Sequence, residues 1–568
     1  MPDSWSAVED YWPRRLLHIA SKTSIEKQGP QSYTDPEGNT HEKPRYSILS
    51  YTWGRFQIKQ GPTLGIKCTP WKIPAIDPNH FTVDSFEKVL DKLAEDGIQW
   101  AWIDIACIDQ ENEEVKADEI GRQAAIFQNA ENAFVWLSSL HPQDLAPMIS
   151  SIIEDSLEIS NHVNERFATS TIDLEDLATN IDSDFEDNLL ETRGHVNEWD
   201  ATSALAVKHL VASLDSALEA FFADKWFSSL WTLQEIVLRK DALALSRDAN
   251  PIQWNQGYPM FFAIFVNHCQ NLYQDLQALD DLPHQPGWPD SSTMDSLGGS
   301  DEETVTHIEN MKKLILSAGF YYLFSDNPNV QYGTAQYRKT RDPEDRIYGI
   351  MQIYNLKVGK SARPHETPKL QELRLEFGAE INTHCPIMGQ SYIHTVETLP
   401  QNTWCITEMS TVPYPLRTFK EPNKRCSISV SPNGIATARG RCCLFSEFVD
   451  THFDSSPPLQ LFLDHYVISK LAFRPNRLLW PYKKDDIDSY PLLYEMGQEL
   501  WILLLGDVSS GQRPAGSDRT QVGLLIARDK EYAQEAWVDV PFHRYGICAW
   551  WESDPKQLQW KDVELSLS

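Results

Sequence analysis

Apolar and polar positions alternate in two different periods along the first 140 residues. Residues 46–51 (YSILSY) form a short β-prone run, ended by the breaker Thr52-Trp53-Gly54. A helix is predicted over about 84–96, where Phe86, Val89, Leu90 and Leu93 make an apolar stripe, Asp84 and Glu87 read as a capping box, and Gly97 follows as a C′ glycine. Residues 100–105 (WAWIDI) are almost continuously apolar, as in a strand covered on both faces. Residues 111–129 read as one helix with acidic residues in its first turn and Ala117, Ile120, Ala124 and Phe127 on one side. Residues 133–137 (AFVWL) read as another buried strand. Strand–helix–strand–helix–strand at this spacing predicts a parallel α/β sheet.

The pattern then changes. Residues 141–200 read as an insertion, partly helical, before long and short helices at about 203–223 and 230–240. Residues 281–303 are dense in Pro, Gly, Ser and Asp and predict a mobile loop, and 308–356 is helical again. Beyond about 365, short apolar runs at 435–448, 500–505, 522–527, 537–540 and 545–551 predict a β-rich C-terminal region. The expected division is a lead-in at 1–44, an α/β domain at 45–245, a mainly helical region at 246–360 and a β-rich region at 361–568.

Composition changes this picture in three ways. The 568 residues carry 50 Lys plus Arg against 81 Asp plus Glu, a net charge of −31, which argues against a nucleic-acid partner. Residues 141–200 hold 15 acidic and 2 basic side chains, so much of that charge sits in one insertion. It reads as a solvated insertion or, less simply, a partner-binding tail. Nine scattered cysteines with no CxxC pair predict reduced thiols and no zinc site. With no apolar run long enough for a membrane span and no signal-peptide pattern at the start, the expectation is a cytoplasmic protein.

Candidate chemistry collects where ligands bind in such sheets, beyond the carboxyl ends of strands. Three clusters fall at such ends or at the start of the following helix: Tyr51 to Arg55 (YTWGR), Asp104 to Gln110 (DIACIDQ) and 226–235 (WFSSLWTLQE), the last on a helix. Each has a plain structural reading. Trp53, Trp102, Trp226 and Trp231 serve equally as core aromatics, Asp104 as a loop cap and Glu235 as a buried paired acid. Cys107 has no adjacent His to make it a nucleophile.

The ordered segments LSYTWG (49–54), WIDIACIDQ (102–110), EEVKADEIGRQAAIFQNAENAFVWL (113–137) and WFSSLWTLQE (226–235) resemble the successive signatures of the fungal heterokaryon incompatibility (HET) domain. RRLLHIAS (14–21), RDPEDRIYGIM (341–351), GRCCLFSEF and HRYGICAW are similar to stretches flanking it. The resemblance implies a role in nonself recognition and programmed cell death. It also implies a distant kinship with TIR domains, a flavodoxin-like parallel fold. Trp231-Thr232-Leu233-Gln234-Glu235 is similar to the helix start that carries the catalytic glutamate of NAD-cleaving TIR domains, so Glu235 becomes the candidate catalytic carboxylate.

By the same resemblance NAD is the candidate substrate and no cofactor or metal is required. Trp53 and Trp231 would stack on a ring, Gly54 and Arg55 would meet the pyrophosphate, and Tyr51, Asp104, Gln110 and Gln234 complete the candidate contacts. The alternative is a non-catalytic adaptor acting by self-association or partner binding. Asp109, Ser138 and Ser229 depart from the family's usual Asn, Gly and Arg, and the loss at Ser229 removes an expected anion partner. The C-terminal region is expected to restrain the α/β domain or to supply a recognition surface.

Overall fold

The computed structural model describes residues 12–167, 199–254, 257–280, 282–285, 288–289, 300–398, 402–452, 460–465, 500–509, 519–527, 541–551 and 558–567. Its first sheet has six strands: β1 (Arg15–His18), β2 (Thr23–Glu26), β3 (Ser47–Ser50), β4 (Trp100–Trp102), β5 (Asn132–Trp136) and β6 (Leu243–Leu245). They lie in the order β6-β5-β3-β4-β1-β2. The β6–β5, β5–β3 and β3–β4 pairs are parallel, while β1 runs antiparallel to both β4 and β2. The expected parallel sheet is therefore present, and the lead-in before residue 45 contributes two strands to it.

Local chemistry explains most elements. Helix α1 (Val83–Glu95) buries Phe86, Val89, Leu90 and Leu93, but its capping box is Thr82 with Ser85, not Asp84 with Glu87. Ser85 N–H donates to Thr82 Oγ1 at 3.1 Å and Thr82 N–H donates to Ser85 Oγ at 2.9 Å. Gly97 adopts φ +79°, as expected of a C′ residue.

Two predictions need correcting. The run at 100–105 is a strand only to Trp102, because the chain then folds into one helical turn, α2 (Asp104–Cys107), with Cys107 N–H on Ile103 O. The helix expected at 111–129 is two, α3 (Glu113–Ile120) and α4 (Gln123–Asn129). At the break, Ala124 N–H donates to Gln352 Oε1 (3.3 Å) from a distant segment instead of to a carbonyl one turn back.

Helices α5 (Pro142–Phe167), α6 (Ala201–Phe222), α8 (Phe262–Ala278) and α9 (Asp301–Ser317) pack together beside the sheet, joined by a Lys208–Asp301 ion pair at 2.7 Å. Between α6 and α8 lies α7 (Leu230–Leu238), which enters the core through Leu230, Leu233 and Ile236. The predicted insertion is thus helical to Phe167; its remainder at 168–198 and most of the loop predicted at 281–303 lie outside the described residues.

The C-terminal region is helical first, through Leu370–His384 and Pro386–Gln390, rather than β-rich from residue 365. An eight-stranded antiparallel sheet follows, built on Ala436–Leu444, Leu500–Ser509, Arg519–Ala527 and His543–Trp551. The strand expected at 537–540 lies outside the described residues. Buried Arg544 ties this sheet to the preceding helices, pairing with Asp464 at 3.0 Å and donating to Gln390 Oε1 at 2.6 Å. No helix among the described residues is long and apolar enough to cross a membrane.

Candidate active site

The carboxyl ends of β3 and β4 open onto a cleft of about 190 Å³. Ser50 ends β3, and Tyr51 to Arg55 turn away from it to form one wall. Beyond β4, the α2 turn aims Asp104 into the cleft, with Ile108 and Gln110 beside it. Helix α7 supplies Trp231 and Glu235, and α4 supplies Gln123. Elements far apart in sequence thus converge on one hollow.

Glu235 is 8% exposed, with its carboxylate held from behind. Ser50 Oγ–H donates to Glu235 Oε2 at 2.5 Å, and Trp226 Nε1–H donates to Ser50 Oγ at 2.8 Å. Gln123 Nε2 approaches Oε1 at 3.5 Å. Burial pushes the Glu235 carboxyl well above the usual carboxylate range, opposed by the Ser50 bond and reinforced by the nearby charge of Asp104.

Asp104 is also raised by burial, against a hydrogen bond from Trp53 Nε1 at 2.5 Å and one from Ile105 N–H at 2.7 Å. It both holds the next backbone amide and walls the cleft. The buried Tyr51 hydroxyl beside it has no well-formed hydrogen bond.

Eight of the nine candidate residues (Tyr51, Trp53, Gly54, Arg55, Asp104, Gln110, Trp231 and Glu235) therefore line one cleft. Gln234 does not. It is fully buried behind the cleft wall, donating to Gln123 Oε1 at 3.0 Å, because neighbouring helical positions point about 100° apart. Trp102 and Trp226 are core, 1% and 0% exposed. Cys107 is buried and its thiol is pushed up to about 12 by desolvation, so it holds no thiolate near neutral pH. Alkylation of the native protein with iodoacetamide, followed by peptide mapping, is expected to leave Cys107 unlabelled. No group of three or more His, Cys, Asp or Glu among the described residues is placed to hold a metal.

Several contributors escaped the sequence reading. Ser50 and Trp226 orient Glu235 although each sits inside a quoted motif. The fourth wall comes from residues 339–345, about a hundred positions beyond α7. This segment bridges in parallel to Ser229, with Lys339 N–H on Ser228 O (2.6 Å) and Leu230 N–H on Lys339 O (3.0 Å).

Beneath it, buried Arg338 donates to the carbonyls of Trp226 (3.1 Å), Ser229 (3.2 Å) and Ala318, and to Thr232 Oγ1 (3.3 Å). Burial lowers its guanidinium to about 9. These bonds set the turn that starts α7. Arg338→Ala removes four buried hydrogen bonds at once, so unfolding in urea is expected at a stability lower by about 3 kcal/mol.

Residues 46–235 match the family model of the heterokaryon incompatibility protein (HET). The chain therefore contains a HET domain, whose matched stretch holds every candidate residue and ends at Glu235, and the match points to a function related to heterokaryon incompatibility. No curated protein and no solved structure matches the chain.

Proposed function

We propose that this protein is a cytoplasmic cell-death effector of fungal nonself recognition whose HET domain hydrolyses NAD, with Glu235 as the catalytic carboxylate. The observation that carries this reading is a buried, up-shifted carboxylate in a cleft also lined by two tryptophans, at the carboxyl ends of parallel strands. The parallel strands, numbered in chain order, lie 2-1-3-4, the order of the flavodoxin-like class to which TIR domains belong.

In the reaction, the bond between ribose C1′ and the nicotinamide nitrogen breaks. Nicotinamide leaves with the bonding pair, water adds at C1′, and ADP-ribose and one proton are released. Positive charge develops on the ribose, and the Glu235 carboxylate stabilises it, oriented by the Ser50–Trp226 relay. Trp53 and Trp231 form apolar walls for the rings, and Asp104 lies within interacting range of Glu235 to accept from a ribose hydroxyl or a water. The direct test is nicotinamide release from NAD by the purified full-length chain, followed chromatographically. Absence of release from freshly purified and from concentrated, self-associated protein would reject the enzymatic reading.

The size of the cleft favours a second reading. About 190 Å³ is below the usual range of roughly 300–1,000 Å³ for small-molecule sites. A non-catalytic adaptor that self-associates or binds a protein partner needs no larger space. The two readings separate on Glu235, whose replacement leaves an adaptor's toxicity intact.

A further inference from the structure

The geometry points to an anion subsite built by Lys339 and Arg341 together with Arg55, which makes the cleft selective for ligands bearing a phosphate or pyrophosphate. This deepens the nucleotide reading above and rests on it for the rest of the ligand, but the subsite is argued from its own residues. Lys339 and Arg341 lie outside the stretch matched by the family model, yet they line the same cleft as Glu235.

Three observations carry the assignment. First, the segment is fixed. Besides its bridge to Ser229, Thr340 Oγ1 donates to Asp345 Oδ2 at 2.7 Å and Trp231 Nε1 donates to the same oxygen at 3.2 Å. The wall that carries the cations is thus tied to the ring-facing tryptophan. Second, the cations are uncommitted. Neither Lys339 nor Arg341 forms an ion pair with a described residue, and Arg55 donates to the neutral oxygens Lys225 O (3.1 Å) and Ser228 Oγ (3.2 Å) and lies over the Phe56 ring.

Third, the charge runs against the chain. A protein of net charge −31 sets four cations (Arg55, Lys116, Lys339 and Arg341) against four carboxyls (Asp104, Glu235, Asp342 and Asp345) around one small hollow, a formal balance of zero where the chain as a whole is acidic.

The test uses the full chain and isothermal calorimetry with two probes: ADP-ribose, which carries the pyrophosphate, and nicotinamide riboside, which carries none. In Lys339→Gln/Arg341→Gln, ADP-ribose affinity is expected to fall by about 10- to 100-fold, as loss of charge-assisted contacts should produce. Nicotinamide riboside affinity is expected to stay within about 2-fold. The charge-preserving Lys339→Arg/Arg341→Lys should restore most of the ADP-ribose binding.

Equal loss of both probes would make the segment a structural wall only, and no loss of either, or no binding of ADP-ribose to the wild type, would remove the subsite. Subsite-dependent ADP-ribose binding by a protein that releases no nicotinamide would keep the subsite and reject turnover.

Discussion

Glu235→Gln is expected to lower nicotinamide release from NAD by about 10³-fold and to leave the protein folded and at least as stable as the wild type. Gln keeps the shape of the side chain and an oxygen for the Ser50 hydroxyl at the same place. It removes the charge that stabilises the developing oxocarbenium ion, so the loss falls on the chemical step.

The stability arm follows from burial. The folded protein holds the Glu235 proton more tightly than the unfolded chain does. The carboxyl's contribution is therefore fully present below its unfolded value and is lost as pH rises through its folded value. Gln carries no such penalty, so the difference in melting temperature between variant and wild type should widen in the variant's favour from pH 5 to pH 8. Activity should move the other way in the wild type, rising with pH over the same interval as Glu235 ionises in the free enzyme. A Glu235→Gln protein that still cleaves NAD would end the catalytic assignment. One that is inactive only because it is unfolded would contradict the burial argument.

Truncation after residue 245 is expected to abolish cooperative folding, and with it toxicity, although the cut falls just past the HET match. The packing says why. A Cβ on Gly349 would come within 3.1 Å of Leu230 Cγ, and one on Gly319 within 3.3 Å of Leu233 Cδ1, so both residues lie directly on α7. Trp226 packs on Phe262 with ring centroids 4.8 Å apart, and Ala244 in β6 donates its N–H to Met260 O at 2.9 Å. Arg338 and Gln352 supply bonds that no residue before 245 replaces.

The cut therefore exposes the apolar side of the helix that carries Glu235 and strips the last parallel strand of its cover. Several buried large side chains lose their contacts at about 2–5 kcal/mol each, which is comparable to the whole stability of a domain. Circular dichroism of residues 1–245 should show no cooperative thermal transition. A stable fragment with raised toxicity would instead assign an inhibitory role to the later residues.

The sequence was informative where the physics is local. The stripe Phe86, Val89, Leu90 and Leu93, the glycine after it, and the apolar runs of β3 and β5 each encode their element within a dozen residues. The structure brings eight of the nine chosen residues from the three motifs to one cleft, because a parallel sheet brings its loops to one edge. The failures were tertiary. The helix at 111–129 broke because Gln352 takes the Ala124 amide, and no pattern inside those residues records that. Strand β6, only Leu243–Leu245, is too short to carry a period and forms because β5 offers it an edge.

Two things about this protein are thus written in consecutive residues: that an α/β sheet forms, and that polar and aromatic groups cluster at its carboxyl edge. What the folded chain alone decided is the environment of those groups. Glu235 becomes an up-shifted acid because distant elements bury it and Asp104 lies near it, outweighing the Ser50 bond, and burial is a property of distant neighbours. The cations at the mouth of the cleft arrive from residues 339–341 for the same reason. A charge in a sequence has only a sign, and its partners and its solvent are assigned by packing.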